Sequence, residues 1–307
     1  MTESRGTAAA IALLVSAAIA AAGCGLGPGE GLEDVELTVT RDYGAETLLH
    51  ESVGGVTEAD TVMRALDRNA NISTRYGGGF VQSIDGLKGE ERGGAPYDWL
   101  YYVNGVEATV GAADYPLHGG EAIWWDYRDW SAAIRVPAIV GSWPQPFADG
   151  YDGERRPVAV ECLGGGTACG MVSGRLEGAG VSVASGSPPQ GAIRVLVGPW
   201  ARLRGDPAAA QIEKGPQTSG VFAEFARRGR GFELHGLDED GEPARTFAAG
   251  AGLVAATRRF EAPPVWVVSG TSAAGVLAAA RLLDGADLRD HYAVATEGEE
   301  ETPLPLQ

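Results

Sequence analysis

The sequence is poor in cysteine, in histidine and in basic residues. Its 307 residues include three cysteines and four histidines, and 24 Lys and Arg residues stand against 41 Asp and Glu residues, for a formal net charge of −17. Nucleic-acid binding depends on a basic surface, so this balance excludes it. The histidines are scattered and no second cysteine pair accompanies Cys162 and Cys169, so the sequence predicts no metal site.

The sequence also lacks the motifs of common catalytic and nucleotide sites. The glycines at 164–166 follow a predicted strand, but the Lys-Ser/Thr ending of a phosphate-binding loop and the full dinucleotide spacing are missing. Ser269 lacks the Gly-x-Ser-x-Gly context of a nucleophile and is predicted to cap a helix. Neither His235 nor His291 has a signature that ties it to Ser269. We therefore predict a protein that is not an enzyme, with no catalytic residues and no resident cofactor.

A hydrophobic run long enough to span a membrane is missing as well. The apolar stretch from Ala8 to Ala22 has about fifteen residues, whereas a spanning helix needs roughly 20. Arg5 precedes the stretch, and small residues lead from it to Cys24, an arrangement typical of a lipoprotein signal. We predict a signal peptide over 1–23 and an acylated Cys24 that anchors the protein outside the cytoplasm, on the bacterial cell membrane. An uncleaved anchor and ordinary secretion remain as alternatives.

The rest of the chain is long enough for two domains. Glycine-rich residues 24–32 are predicted to form a tether, and the Pro-rich segment 136–156 is predicted to connect a domain at 33–135 to a domain at 157–296. The acidic, Pro-containing residues 297–307 are predicted to be a disordered tail.

The element pattern predicts an α+β chain with two different modules. In the first, alternating Val35, Leu37 and Val39 indicate a half-buried strand, and a second strand, Glu46 to Val53, is predicted to form a hairpin with it. Thr57 with Asp60 indicates a capped helix start. Two strands, this helix and a returning set of strands fit a β-grasp-like sheet. The second module alternates strands with helices, among them a helix predicted over Gly220 to Arg228. This alternation predicts an α/β layered domain with a mostly parallel sheet.

Aromatic residues concentrate between Tyr97 and Trp130, although Phe, Trp and Tyr make up only 7% of the chain. Because alternate residues of a strand share a face, Asp98 lies on the same face as Tyr102, and Asp126 and Arg128 lie on the same face as Trp124. We expect this face, with Trp130, to be open to solvent, where broad rings favour ligand contact. Packing of these rings against the connector or the second module is the alternative.

The stretch YDWLYYVNGVEATVGAADYPLHGGEAIWWDY, from residue 97 to 127, resembles the C-terminal domain of transcobalamin and intrinsic factor and its bacterial surface relatives. The resemblance implies a β-grasp-like fold and ligand binding, with a corrinoid as the leading ligand, although the chain has no helical-barrel partner domain of that family. His118 offers an imidazole that could reach a corrinoid cobalt, whereas a lone loop histidine is usually just solvated. The candidate ligand-binding residues are Tyr102, Trp124, Trp130, Tyr115 and His118.

Three functions compete on this evidence. Capture of a corrinoid for uptake predicts an open aromatic cleft and a vitamin transporter as partner. A cell-surface protein-interaction or assembly module predicts a flat aromatic patch. An unrecognised enzyme predicts convergent titratable groups near Gly164 or Ser269.

Cys162 and Cys169 are close in sequence and would lie in an oxidising compartment. The sequence leaves two alternatives open for them, a disulfide and a pair of free buried thiols.

Overall fold

The computed structural model describes residues 29–164 and 166–307. The predicted signal peptide, Cys24 and most of the predicted tether lie outside these residues. None of the helices in the described ranges combines the length and the apolar character that a membrane span requires.

The elements of the N-terminal module are β1 (Val35–Arg41), β2 (Glu46–Val53), α1 (Val62–Asn69), β3 (Ile72–Arg75), β4 (Phe80–Ile84), β5 (Leu87–Lys88), β6 (Glu90–Arg92), β7 (Ala95–Val103), β8 (Val106–Glu107) and β9 (Ala122–Asp129). Its main sheet has six strands with the order β2-β1-β9-β7-β6, in which β8 also pairs with β7. Strands β1 and β9 are parallel neighbours at its centre, and the other pairs are antiparallel. A second, three-stranded sheet has the order β3-β4-β5.

Helix α1 begins later than its capping signal predicts. Asp60 does accept hydrogen bonds from Thr57, at 2.9 Å from the backbone nitrogen, but it also pairs with Arg68. The N-cap is Thr61, whose hydroxyl accepts from the Arg64 amide at 3.4 Å. The contact between Thr57 and Asp60, which was predicted to cap the helix, therefore closes a turn just before the helix.

The large sheet separates two cores. On one face, Leu37 and Trp125 pack against Leu66 of α1, in a core confined to the N-terminal module. On the other face, Tyr102 and Trp124 belong to a core that they share with the C-terminal half of the chain. The predicted assignment of alternate residues to two faces is confirmed by this division.

The elements of the C-terminal module are β10 (Val158–Cys162), α2 (Thr167–Gly178), β11 (Val183–Ala184), β12 (Ile193–Pro199), α3 (Trp200–Leu203), α4 (Pro216–Ser219), β13 (Ala223–Arg228), β14 (Gly231–Leu237), β15 (Pro243–Thr246), β16 (Gly252–Thr257), β17 (Val265–Gly270), α5 (Ala273–Arg281), α6 (Gly285–Leu288), β18 (Ala293–Glu297) and β19 (Glu300–Leu304). They form a seven-stranded sheet with the order β11-β10-β12-β17-β16-β18-β19 and a three-stranded antiparallel sheet, β13-β14-β15. Two short 3₁₀ helices complete the described helical elements, Tyr76–Gly78 in the first module and Ala209–Lys214 in the second.

The seven-stranded sheet is mixed rather than mostly parallel. Strands β11, β10, β12 and β17 are parallel, whereas β16, β18 and β19 are joined to it by antiparallel pairing. One face packs under α2 and α5 and the other faces the core shared with the N-terminal module. The chain is therefore α+β.

Two predicted elements of this module are wrong. The segment predicted as a helix from Gly220 is strand β13, because Gly220 ends α4 with a φ of 72° and the residues after it alternate between buried and partly exposed. The predicted disordered tail contains β19, which pairs residue by residue with β18. Thr302 and Leu304 of β19 are buried, and burial of alternate residues is typical of a strand. The acidic, Pro-containing composition of this segment favoured the incorrect prediction of disorder.

The predicted connector lies against the C-terminal module. Phe147 and Tyr151 are buried in the core beneath α2 and α5. Cys162 and Cys169 form a disulfide, with their Cα atoms 5.8 Å apart, that joins the end of β10 to the first turns of α2. Asn104 and Gly105 form the turn that links β7 to β8, and both residues have positive φ, 52° and 72°.

Candidate functional site

One row of side chains runs across four strands of the N-terminal sheet. The strand register places Thr38 opposite both His50 and Trp124, and it places Trp124 opposite Tyr102. All four residues face the C-terminal module, because residues on directly paired positions share a face. The row becomes more buried from the edge strand β2 to the interior strand β7.

The interior end of the row is covered. Tyr102 is 0% exposed and Trp124 is 2% exposed. Both rings meet the Tyr292 ring of the C-terminal module edge to face, with centroid distances of 5.7 and 5.6 Å. The prediction that Tyr102 and Trp124 are open to solvent is therefore wrong. The packing alternative describes the structure, because the C-terminal module supplies the partner that an isolated sheet lacks.

Beside these rings lies a buried polar network between the modules. Asp126 accepts hydrogen bonds from the Thr40 hydroxyl at 2.6 Å and from the Tyr292 hydroxyl at 2.9 Å. Thr40 in turn accepts from the Trp124 indole nitrogen at 2.7 Å. Burial raises the pKa of Asp126, and these hydrogen bonds and Arg128 partly oppose the rise.

Arg128 is also fully buried in this network. Its Nη1 donates to the carbonyls of Asp129 and Ala133, at 3.0 and 2.8 Å. Its Nε and Nη2 and the hydroxyl of Tyr102 have no hydrogen-bond partner among the described residues. The network therefore joins the modules by specific polar contacts, and it offers no opening for a ligand.

The other three predicted residues lie elsewhere. Trp130 is partly buried and lines a groove of about 250 Å³ with Phe80 and Tyr97. Tyr115 is buried, with its hydroxyl 3.4 Å from Oε1 of Glu121. The structure thus distributes the five predicted residues over three places.

His118 lies next to Tyr115, and its Nδ1 is 3.1 Å from the same Glu121 Oε1. Burial raises the pKa of Glu121, and hydrogen bonds from His118 oppose this rise. Gly153 approaches the His118 ring so closely that a Cβ atom there would lie 2.4 Å from Nε2. Within the described residues, no group of three or more His, Cys, Asp and Glu side chains is arranged to hold a metal ion.

The exposed end of the row opens into a cleft between the modules, which we call the His50 cleft. Its volume is about 260 Å³, and it is lined by Glu36, Thr38, His50, Ala122, Ile123, Trp124, Gly141, Ser142, Trp143, Gly285, Arg289 and Asp290. Strands β1, β2 and β9 form one wall, and the connector and the segment from α6 to residue 290 form the other. Domain junctions are frequent places for ligand sites.

Polar groups are concentrated in the first wall of the His50 cleft. His50 Nδ1 lies 3.0 Å from the Thr38 hydroxyl, and Nε2 lies 3.9 Å from a carboxylate oxygen of Glu36. The His50 and Glu36 side chains are 46% and 50% exposed, so both are accessible to a ligand.

Trp143 and Asp290 complete the opposite wall. The Trp143 ring is backed by Phe147 and Trp266, at centroid distances of 5.6 and 5.9 Å. Asp290 accepts from the Thr47 hydroxyl of β2 at 3.1 Å, so this carboxylate is held by a contact across the module junction. The cleft therefore combines two carboxylates, an imidazole and a supported indole.

Of the residues that line the His50 cleft, Trp124 is among the predicted ligand-binding residues, whereas Glu36, His50, Trp143 and Asp290 are not. Alternation along the predicted β1–β2 pair could have placed Glu36 and His50 on the face of Trp124. Trp143 and Asp290 gave no such signal, because they reach the cleft only through the packing of the two modules.

The residues considered for catalysis have structural contacts. Ser269 is fully buried and its hydroxyl donates to the Gly198 carbonyl at 3.0 Å. It does not cap α5 as predicted, because Ser272 is the N-cap and accepts from Gly275 at 3.4 Å. His235 pairs with Glu233 at 3.0 Å, and burial lowers the pKa of His291.

Comparison with known proteins gives limited matches. No curated protein matches the chain. A solved structure described as a "putative metal binding protein" from Ruminococcus gnavus ATCC 29149 has 14% sequence identity and a TM-score of 0.25, and the match covers 32% of this chain and 97% of that one. That TM-score is too low to support an inference. Within the N-terminal module, residues 59–129 match a family described as a domain of unknown function, DUF4430.

Proposed function

We propose that this chain is an extracytoplasmic, membrane-anchored binding lipoprotein, and that it holds a small organic cation in the His50 cleft. The location rests on the lipoprotein-like signal that ends at Cys24. The observation that carries the binding role is the row from His50 to Tyr102, which is sealed by Tyr292 at one end and open at the other.

The lining of the His50 cleft favours a positively charged ligand. Glu36 and Asp290 supply two carboxylates, and Arg289 supplies one positive charge among the lining residues. Trp143 adds an indole ring, and a cation over the face of such a ring gains about 0.5–2 kcal/mol. The volume of about 260 Å³ is slightly below the roughly 300–1,000 Å³ typical of drug-sized ligands, which suits a small amine.

The finer fold assignment is part of the same proposal. The parallel pair β1 and β9, with α1 packed on one face, supports a β-grasp-like N-terminal module. The resemblance to the transcobalamin C-terminal domain would follow from that fold. It does not by itself carry the ligand over, because fold and function are separable.

A corrinoid is the less favoured ligand. Burial of Tyr102 and Trp124 removes the ring faces on which its macrocycle was expected to stack. A corrinoid is also larger than the ligands for which pockets of about 300–1,000 Å³ are typical. The hypothesis of a vitamin transporter as partner depends on a corrinoid ligand, so it is less favoured as well.

Titration with choline and putrescine tests the proposal. The full chain carrying Cys24→Ser, which removes the acylation site, would be followed by calorimetry and tryptophan fluorescence. We expect saturable binding that Glu36→Gln or Asp290→Asn weakens about tenfold, equivalent to about 1.4 kcal/mol. Glu51→Gln is the matched control, because Glu51 is the exposed neighbour of His50 on the opposite face of β2.

Two outcomes would contradict the proposal. One is the absence of saturable binding by either cation at millimolar concentration. The other is equal weakening by Glu36→Gln and Glu51→Gln, which would indicate general attraction to an acidic protein. Saturable binding of cobinamide without binding of the cations would restore the corrinoid hypothesis.

A protein-interaction role is the second candidate function, favoured by an exposed aromatic surface. Tyr76 and Phe80 are 86% and 37% exposed, with ring centroids 6.1 Å apart, and Val110 nearby is 48% exposed. Phe80 and Val110 line an apolar groove of about 210 Å³ beside β7. Cross-linking on intact cells would test this role, and we expect Tyr76→Ser with Phe80→Ser to abolish any specific adduct.

A further inference from the structure

A second cavity lies away from the His50 cleft and shares no lining residue with it. Its volume is about 770 Å³, within the range of about 300–1,000 Å³ typical of small-molecule sites. The walls come from the chain around Ile134 and Pro137, where the connector begins, from the 3₁₀ helix and α4, which contain Gln211 and Gln217, and from the segment that follows β16, around Phe260. We call this cavity the Phe260 pocket.

Large apolar side chains at this pocket are unusually exposed. Phe260 is 82% exposed and Ile134 is 65% exposed, and both line the cavity. Phe260 also has a φ of 54°, a left-handed conformation that is uncommon for a bulky residue and costs about 1–3 kcal/mol. Two such side chains at one opening provide apolar contact area that the folded chain does not use.

Two arginines, Arg135 and Arg258, stand among the polar residues that line the pocket. Arg135 is 56% exposed, and its Nε is the atom that pairs with Glu107, at 2.9 Å, so its terminal nitrogens extend beyond this contact. Arg258 is held by the carbonyls of Ala262 and Glu261, at 2.8 and 3.3 Å. Guanidinium groups donate and never accept hydrogen bonds, so they favour an acceptor on the ligand.

The local charge differs from that of the whole chain. Arg135 and Arg258 line the pocket, and Arg259 lies over the Phe260 ring, with its Cζ 5.2 Å from the ring centroid. Glu107 and Glu261 are the acidic partners of the first two, while the chain has a net charge of −17. The three arginines therefore leave a local excess of one positive charge. A bidentate contact with a carboxylate or phosphate is the strongest interaction that an accessible guanidinium offers.

We infer that the Phe260 pocket binds a soluble anionic amphiphile, a molecule with one apolar chain and a carboxylate or phosphate head group. The apolar chain would contact Phe260 and Ile134, and the head group would accept hydrogen bonds from Arg135. This inference does not depend on the ligand of the His50 cleft.

The test compares two probes of equal chain length and opposite charge. Dodecanoate and dodecyltrimethylammonium would be titrated below their micellar concentrations into the full chain carrying Cys24→Ser, with calorimetry as the readout. Excess choline would be present throughout, so that the His50 cleft does not bind the trimethylammonium group of the cationic probe. The net charge of −17 favours nonspecific binding of the cationic probe. We expect dodecanoate to bind saturably and at least tenfold more tightly than dodecyltrimethylammonium, a preference that the net charge cannot produce.

Matched variants assign that binding to the pocket. We expect Phe260→Ser and Arg135→Gln each to weaken dodecanoate binding at least fivefold. Tyr76→Ser is the control for Phe260→Ser, since Tyr76 is 86% exposed at a distant surface, and Glu36→Gln is the control for the His50 cleft. Neither control should change the affinity by more than twofold.

Three results would overturn the inference: no saturable dodecanoate binding, a preference for the cationic probe, or equal effects of Phe260→Ser and Tyr76→Ser. Circular dichroism of each variant would show that the fold is retained. A further arm uses vesicles of phosphatidylglycerol; binding to vesicles without binding of monomeric dodecanoate would also contradict the proposed soluble ligand.

Discussion

The two faces of the N-terminal sheet come from the same strands but bury different chemistry. In β9, Ile123, Trp125 and Tyr127 enter an apolar core under α1, whereas Asp126 and Arg128 enter a polar network against the C-terminal module. Both faces are well buried. A buried face can therefore be polar, provided that a second module supplies hydrogen-bond partners.

The apolar face is expected to carry most of the stability of the N-terminal module. Trp125 is 2% exposed and stacks on Tyr101 at a centroid distance of 4.8 Å. Trp125→Ala would leave a cavity, and we expect a loss of about 3–5 kcal/mol in the free energy of unfolding, measured with urea. Tyr76→Ala on the exposed surface should change it by less than about 0.5 kcal/mol. Similar values for the two variants would contradict this assignment.

The polar face is expected to contribute less stability but to couple the modules. Tyr292 donates to Asp126 across the junction at 2.9 Å. Tyr292→Phe would leave a buried carboxylate oxygen without this partner, and we expect a loss of about 1–3 kcal/mol. A double-mutant cycle with Asp126→Asn should give a coupling energy of about 0.5–3 kcal/mol. A coupling near zero would show that the two residues do not depend on each other.

The polar face should also make stability depend on pH. Burial raises the pKa of Asp126 in the folded state, so the folded protein holds the proton to higher pH than the unfolded chain does. The contribution of Asp126 to the free energy of unfolding is therefore fully present below its pKa in the unfolded chain, about 3.9. This contribution declines as the pH rises through its pKa in the folded protein.

Asp126→Asn removes this titration. We expect the unfolding free energy of the unmodified protein, relative to that of the variant, to fall as the pH rises from about 4. Urea titrations of both proteins at a series of pH values would measure this difference. A difference that rises with pH over the same range would mean that the network favours the ionised carboxylate.

The sequence predicted the two faces better than their surroundings. Period two in β7 and β9 separated Trp125 from Trp124 correctly, because strand alternation is local. It could not show that Tyr292, more than 160 residues away, covers Trp124, because that contact depends on how the modules pack. The same limit hid Asp290 and Trp143 from the predicted site. Glu36 and His50 could have been found, because they lie on neighbouring strands of a predicted pair.

At the open end of the polar face, we expect a substitution to change ligand binding without changing the stability of the fold. Glu36 and His50 are about half exposed, and their contact of 3.9 Å is long for an ion pair. Exposed pairs of this kind contribute about 0–1 kcal/mol, so Glu36→Gln should change the unfolding free energy by less than about 0.5 kcal/mol. The same variant is expected to weaken choline binding about tenfold, because in the proposed complex this carboxylate contacts the ligand. Calorimetric titration and urea unfolding of one protein preparation would measure both effects. Loss of stability without loss of binding would place Glu36 with the buried network and remove the distinction between the open and the sealed ends of the face.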